Sequence, residues 1–188
     1  DAALTSGAGL ALSAKQTNHP QVLPVSDTQQ SLQTLGVEAR RRISNDAAII
    51  AITGSSGKTT LRTWLQHILA DFGHTHGSEG SFNNHLGVPL SLARMPADTQ
   101  YGVFEVGTNH PGEIQPLSDM IAPTIAIVLN VLPVHIGHFA SFDALVQEKL
   151  SLRSGLTSSG QLILQSALSD SVSGPLSTFG TAPSADIQ

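Results

Sequence analysis

The fold of this chain is decided by the stretch AAIIAITGSSGKTT, which spans residues 47–60. Its first six residues form a continuous apolar run, which is typical of a strand buried on both faces of a parallel sheet. A helical pattern follows over residues 59–72. The glycine-rich turn at residues 53–60 therefore lies where a buried strand leads into a helix, which is the place of a phosphate-binding loop.

The residues of this turn have the chemistry that nucleotide phosphates require. Glycines let the backbone approach the phosphates, N–H groups and the helix N-terminus face the anion, Lys58 supplies a cation, and the Thr59 hydroxyl can ligate Mg²⁺. The form is the shorter G-x-x-G-K-T, because Ile52 stands where the usual G-x-x-x-x-G-K-[ST] motif has its first glycine. The alternative interpretation is a Ser/Gly turn with a surface lysine. The predicted cofactor-binding residues of the loop are Gly54, Ser55, Ser56, Gly57, Lys58, Thr59 and Thr60.

Strand and helix patterns alternate along the rest of the chain. Short apolar runs at residues 101–106, 124–129 and 161–164 alternate with helical patterns at residues 86–95, 114–121 and 142–152. This alternation predicts an α/β fold, a three-layer P-loop NTPase-like domain with a mostly parallel sheet.

A separate helix is predicted before this domain, over residues 28–42. Asp27 can cap its N-terminus, and Leu32, Leu35 and Ala39 recur on one face. We interpret this helix as a linker between two domains.

Composition excludes several classes of protein. Among 188 residues, 40% are hydrophobic and only 12% are charged, so a charge-rich disordered chain is excluded. The net charge is -5 and residues 40–42 are the only basic run, so we expect no nucleic-acid partner. No apolar run approaches the roughly 20 residues of a membrane span. With no cysteine, the chain fits a reducing compartment, and we expect a cytoplasmic monomer.

Polar residues follow or interrupt two of the predicted strands. Glu105 is a lone carboxylate in an apolar strand, where a metal or cation partner would offset the cost of burial; the alternative is an exposed glutamate on an edge strand. Asn130 and His135 follow the strand at residues 124–129. A lone histidine such as His135 is more often structural than a ligand.

Four motifs resemble those of the Mur ligase family. They are GSSGKTT at residues 54–60, FNNHLGVP at 82–89, EVGTNHPGEI at 105–114, and PVH at 133–135 with Lys149 fourteen residues later. Within the family, the paired asparagines and the third motif are most similar to the members that join D-Ala-D-Ala to a UDP-N-acetylmuramoyl tripeptide.

The resemblance implies an ATP-dependent amide ligase that works through an acyl phosphate and requires ATP and Mg²⁺. Residues 1–26 would end an N-terminal UDP-sugar-binding domain, residues 27–45 would be the linker helix, and residues 46–188 would form an incomplete central ATPase domain. The expectation is therefore a fragment that lacks the C-terminal domain and most of the N-terminal domain. Its partners would be the UDP-N-acetylmuramoyl tripeptide and D-Ala-D-Ala.

The resemblance also implies roles for individual residues. Lys149, which without the family is a helix-surface lysine, would be carbamylated and so change from a cation to an anion beside the metal. The implied catalytic residues are Lys58, His135 and Lys149. The implied metal ligands are Thr59, Glu105, His135 and Lys149. The implied substrate-binding residues are Asn83, Asn84, Asn109 and His110, and Asn130 would contact the nucleotide.

Three alternatives to this function stay open at the level of sequence. The first is a module that binds ATP without ligating anything, and the second is another member of the Mur ligase family. The third is an ordinary P-loop kinase or GTPase, although the chain has no Asn-Lys-x-Asp guanine motif.

Overall fold

The computed structural model describes residues 2–15, 17–134 and 136–188. In these ranges the helices are α1 Ala2–Thr5, α2 Thr28–Arg41, α3 Lys58–Leu69, α4 Gly87–Ala93, α5 Ile114–Ile121 and α6 Phe142–Leu150. The strands are β1 Ala11–Ser13, β2 Val22–Pro24, β3 Ala48–Thr53, β4 Thr75–Gly77, β5 Tyr101–Glu105, β6 Ile125–Val128, β7 Gln161–Gln165 and β8 Ser177–Phe179. Short 3₁₀ helices occupy Ile136–His138, Ser151–Gly155 and Ser166–Ser171.

The main sheet has the strand order β4-β5-β3-β6-β7-β8, and every pairing in it is parallel. β3 lies between β5 and β6, with Ile52 paired with Glu105 and Thr53 paired with Val128. The segments that follow these three strands therefore meet at one edge of the sheet, where parallel α/β folds bind ligands. β1 and β2 form a separate parallel pair.

Helices cover both faces of the main sheet because the residues of β3 alternate between two cores. Ile49 and Ala51 pack in the larger core with residues of α4, α5 and α6. Ile50 and Ile52 pack in a smaller core against the leucines of α3. The predicted three-layer α/β fold with a parallel sheet is confirmed.

The sequence patterns located most elements within a few residues. The helix predicted at residues 114–121 matches α5, whereas α3 ends at Leu69 and not at residue 72. Two strands of the main sheet, β4 and β8, had no sequence prediction, since each is only three residues long and carries little apolar signal. No helix in the described ranges is long and apolar enough to cross a membrane.

Helix α2 packs against α4 and α5 through a face that differs from the predicted one. Asp27 caps the helix by accepting from the backbone N–H groups of Gln29 and Gln30, as predicted. The buried positions are Gly36 and Ala39, whereas Leu35 is half exposed. The prediction that Leu35 lies on the buried face was wrong. Helix α4 approaches α2 most closely at Gly36, where a Cβ would lie 2.8 Å from a backbone oxygen of α4, so the buried face is centred on this glycine.

The basic run at residues 40–42 is used inside the fold. Arg40 donates from Nε to Ile121 O at 2.8 Å and from Nη2 to Ala122 O at 2.9 Å, so its cation caps the C-terminal carbonyls of α5. Arg42 Nη2 donates to Met95 O at 2.5 Å, just after α4. Two of the three arginines therefore fasten α2 to the domain.

Candidate active site

The phosphate loop is the turn between β3 and α3, and two glycines give it its shape. Gly57 is the N-cap of α3 with φ +82°, and Gly54 has φ +156°; both values disfavour an L side chain. At Gly54 a Cβ would also lie 2.9 Å from Leu129 Cβ. The loop can therefore pass under the segment after β6 only because these two positions are glycine.

Asn130 braces this loop from the end of β6. Its Oδ1 accepts from Ser55 N at 3.1 Å and Ser56 N at 3.0 Å, and its Nδ2 donates to Ser56 O at 3.2 Å. Asn130 thus holds two loop amides in this structure. Its expected contact with the nucleotide stays a prediction.

Lys58 extends over the loop from the first position of α3. Its Nζ donates to Gly54 O at 2.9 Å. Burial lowers the pKa of Lys58, and the negative charge of Glu105 opposes that shift. The loop therefore presents a partly desolvated ammonium at a helix N-terminus, which is the arrangement that binds anions.

Glu105 is a fully buried carboxylate at the end of β5, and both of its oxygens have partners. Thr59 Oγ1 donates to Oε2 at 2.8 Å, and Asn83 Nδ2 donates to Oε1 at 2.7 Å. Arg62 Nε lies 3.5 Å from Oε2. The structure thus excludes the alternative that Glu105 is exposed on an edge strand. It places the Glu105 carboxylate in contact with Thr59, in the first turn of α3.

Thr59 and Glu105 have the chemistry of a Mg²⁺ site. Both offer hard oxygen atoms, which this ion prefers. Adjacent ligands of an octahedral ion with bonds of about 2.1 Å are about 3.0 Å apart, and the two oxygens here, which share a hydrogen bond, are 2.8 Å apart. These two residues therefore fit the metal of a bound nucleotide. No group of three or more potential ligands of the His, Cys, Asp or Glu type occurs among the described residues.

A cavity of 610 Å³ opens beside the phosphate loop. Its wall includes the loop itself, residues 83–85, residues 107–113, α5 and α6, together with Gln33 and Val134. Of the predicted site residues, its lining includes Gly54, Ser55, Lys58, Asn83, Asn84, Asn109, His110 and Lys149. Such a volume accommodates an extended group of substrate size next to the phosphates.

The segment at residues 107–113 is organised by Glu113. Its Oε2 accepts from Asn109 N at 2.7 Å, His110 N at 3.0 Å and Thr108 Oγ1 at 3.1 Å. Burial raises the pKa of Glu113, but the hydrogen bonds lower it by more than burial raises it, so the pKa lies below its ordinary value. His110 packs edge-on against His138, with 4.6 Å between the ring centroids, so the segment also contacts the loop after β6.

Lys149 is buried in α6, and its neighbour Glu148 fixes that helix against α5. Glu148 accepts from Gly112 N at 2.7 Å and from Ile114 N at 2.9 Å. Lys149 is 4% exposed, which excludes a surface lysine. Burial, and after it the positive charge of Lys58, lower the pKa of Lys149 to about 8, while the negative charge of Glu148 opposes the shift. The cavity thus contains two lysines whose charges repel each other.

The buried charge of Lys149 should make stability depend on pH. Its native pKa of about 8 lies below the ordinary 10.5, so the unfolded chain binds more protons between these pH values and the free energy of unfolding should rise there. Lys149→Met should remove the rise and stabilise the chain at pH 7 by about 1–3 kcal/mol, given roughly 1.4 kcal/mol per pKa unit. Urea unfolding at pH 7 and pH 10 measures both effects, with exposed Lys15→Met as the control. A variant less stable than wild type at pH 7 would contradict this assignment.

Four of the predicted site residues need separate mention. Asn83 was predicted to bind substrate, but its amide holds Glu105, and only its position in the cavity wall supports the predicted role. Asn84 Oδ1 accepts from Gly87 N at 2.9 Å and so caps α4, although it also lines the cavity. Thr60 is exposed at the start of α3. His135 lies outside the described residues, so its predicted roles stay predictions.

Two charged residues of the site, Arg62 and Glu148, had no sequence prediction. Arg62 lies three residues after Thr59 and therefore on the same helix face, which is a signal the sequence did contain. Glu148 gave no signal, because its partners Gly112 and Ile114 are backbone groups about 36 residues away.

The parallel sheet, the G-x-x-G-K-T loop and the helix N-terminus behind it define a P-loop NTPase-like α/β protein. The sequence model of the Mur ligase middle domain matches residues 52–174. The chain therefore belongs to the Mur ligase family, as the motifs had indicated.

Individual relatives agree with this membership. The UDP-N-acetylmuramoyl-tripeptide–D-alanyl-D-alanine ligase of Haemophilus influenzae is 37% identical over 171 residues, covering 87% of this chain. The ligase of the same name from Bacillus subtilis is 33% identical over 174 residues, covering 91% of this chain. A crystal structure of MurF from Acinetobacter baumannii has a TM-score of 0.82 at 31% identity, covering 94% of this chain and 41% of that one. This chain spans 37% of the length of each of the two curated relatives.

Proposed function

We propose that this chain carries the ATP-binding and phosphoryl-transfer part of a cytoplasmic, ATP-dependent amide ligase of peptidoglycan precursor synthesis. The ligase would join D-Ala-D-Ala to a UDP-N-acetylmuramoyl tripeptide. The observation that carries the proposal is one cavity in which the phosphate loop and Lys58 face Lys149. The relatives named for this reaction support the choice of substrates.

The proposed reaction has two steps. A carboxylate oxygen of the tripeptide bonds to the γ-phosphorus of ATP, the bond to the β,γ-bridging oxygen breaks, and ADP leaves with that electron pair. The amine of D-Ala-D-Ala then attacks the acyl carbon, phosphate leaves with the electron pair of its carbon–oxygen bond, and the nitrogen loses one proton. Such transfers depend chiefly on positioning and on charge neutralisation.

The phosphate loop would position the phosphates of ATP and neutralise part of their charge. Lys58 Nζ would exchange its hydrogen bond to Gly54 O for oxygens of the β and γ phosphates. Asn130 keeps the loop in shape while it does so. Thr59 and Glu105 would hold Mg²⁺, which when bound neutralises charge on the phosphates.

Lys149 would supply an anion on the opposite wall. A neutral amine reacts with CO₂ to give a carbamate and one released proton, so the lowered pKa of Lys149 favours the reaction. The product would replace the repulsion between Lys149 and Lys58 by attraction. His135 would complete the metal ligands predicted with Thr59, Glu105 and Lys149. The substrate would be contacted from the cavity wall by Asn83, Asn84, Asn109 and His110.

The domain assignment follows from the same proposal. Residues 46–188 would be the central ATPase domain, and residues 27–45 the linker that its arginines fasten to that domain. Residues 1–26 would belong to the UDP-sugar-binding domain. The chain's share of its relatives' length, 37%, is compatible with this division.

A phosphate-release assay in the full-length protein distinguishes the proposal from the alternatives. ATP, the UDP-N-acetylmuramoyl tripeptide and D-Ala-D-Ala are supplied singly and in combination, and the products are identified by mass spectrometry. We expect one phosphate per amide bond, and only with all three present. A non-ligating ATP-binding module would release none, and a kinase would yield a stable phosphorylated product; either result would overturn the proposal.

A further inference from the structure

Arg62 is a buried cation that the proposed reaction does not use. It lies in α3 one turn after Thr59, on the helix face that packs against β5. Its side chain is 9% exposed, and the side chain of Glu105, 3.5 Å away, is 1% exposed. An arginine at such a position is costly to bury, and an apolar residue would pack there without that cost.

The guanidinium of Arg62 is fixed in orientation by two other segments. Nη1 donates to Gln66 Oε1, one turn further along α3. Nη2 donates to Gly80 O at 3.3 Å, in the segment that leads to Asn83. Nε donates to no acceptor among the described residues and lies 3.5 Å from Glu105 Oε2. Two nitrogens thus anchor the group, and the third faces the carboxylate.

The surroundings of Glu105 come from three elements that Arg62 connects. Thr59 belongs to α3, Asn83 to the segment after β4, and Glu105 itself to β5. Arg62 contacts Glu105 directly and also ties the segment of Gly80 to α3. Moving the guanidinium would therefore disturb the carboxylate from two sides.

We propose that Arg62 is a positioning residue that holds the Glu105 carboxylate against Thr59, so that these two oxygens stand ready for the Mg²⁺ of bound ATP. The inference rests on the proposed function. Arg62 contacts neither the nucleotide nor the metal in this scheme. It acts through Glu105, as residues that orient metal ligands do.

The test is calorimetry of ATP binding to this chain, with Mg²⁺ and with EDTA. Arg62→Met should weaken ATP binding in Mg²⁺ by about 10- to 100-fold, the usual range for residues that orient metal ligands. Binding in EDTA should change by less than about twofold, because the loop and Lys58 remain. Arg41→Met, at an exposed arginine of α2, is the matched control and should change neither value. A purely structural role would weaken binding equally with and without the metal.

A double-mutant cycle keeps the test valid if Arg62→Met alone does not fold. Removing both charges of a buried pair is tolerated better than removing one, so Arg62→Met with Glu105→Gln should fold. This double variant should bind Mg²⁺-ATP as Glu105→Gln does, since Arg62 has then lost the group it orients. Two results would overturn this inference and leave the proposed function standing. One is an Arg62→Met variant whose ATP binding depends on Mg²⁺ as in the wild type, and the other is a double variant that binds Mg²⁺-ATP tenfold more weakly than Glu105→Gln. Failure of the wild-type chain to bind Mg²⁺-ATP would instead overturn the proposed function.

Discussion

Lys149→Ala in the full-length protein should lower the ligation rate by about 10²–10³-fold, the usual loss when one preorganised charged or polar group is removed from a transfer site. The reason is the environment of Lys149, which is buried in the cavity wall and has its pKa lowered to about 8. A residue in that position can form the anion that the proposed reaction needs opposite Lys58. The rate is measured as phosphate release coupled to amide formation.

Two further variants separate the carbamate from the lysine itself. Lys149→Arg should be as inactive as Lys149→Ala, because a guanidinium keeps the positive charge and does not form the carbamate. Short carboxylic acids added to Lys149→Ala should restore part of the rate by supplying the lost anion. Lys15→Ala, at an exposed lysine, is the matched control and should retain full activity. Wild-type turnover by Lys149→Ala would end the hypothesis.

Lys58→Ala should weaken the binding of Mg²⁺-ATP to this chain by about 10- to 100-fold, since a hydrogen bond to a charged group contributes about 1.5–3 kcal/mol. The ammonium is the cation that the structure holds over the loop, 2.9 Å from Gly54 O. Calorimetry of the two chains measures the difference. Because Lys58 also lowers the pKa of Lys149, the variant should raise that pKa as well. Equal affinity of both chains for ATP would show that the phosphates bind elsewhere.

The parts of the fold that the sequence predicted are those with a local pattern. Residues 47–60 combine a continuous apolar run with a glycine-rich motif, and both signals lie within one short segment. The cap at Asp27 is equally local. By contrast, β4 and β8 owe their strand conformation to pairing with β5 and β7, which a three-residue segment does not encode by itself.

The candidate site shows the same limit at the level of single side chains. The sequence favoured a buried carboxylate at Glu105 and left an exposed one open, but its partners Asn83 and Arg62 come from segments that only the fold brings together. The hydrogen bond from the Asn83 amide to Glu105 was therefore not predicted, and the substrate role of Asn83 stays a prediction. Glu148 was missed because its acceptor role depends on the backbone of a distant helix start. Residue type and local spacing indicate what a group can do, whereas the partner that it serves depends on the tertiary fold.

In the proposed reaction a substrate carboxylate attacks the γ-phosphorus of ATP held by the phosphate loop, and oxygen-isotope transfer can detect this step. The full-length protein is supplied with ATP, D-Ala-D-Ala and UDP-N-acetylmuramoyl tripeptide labelled with ¹⁸O in its terminal carboxylate. Because the oxygen that bonds to phosphorus leaves with it, we expect one ¹⁸O atom in each phosphate released. Phosphate without the label, released at the same rate as the amide forms, would contradict it.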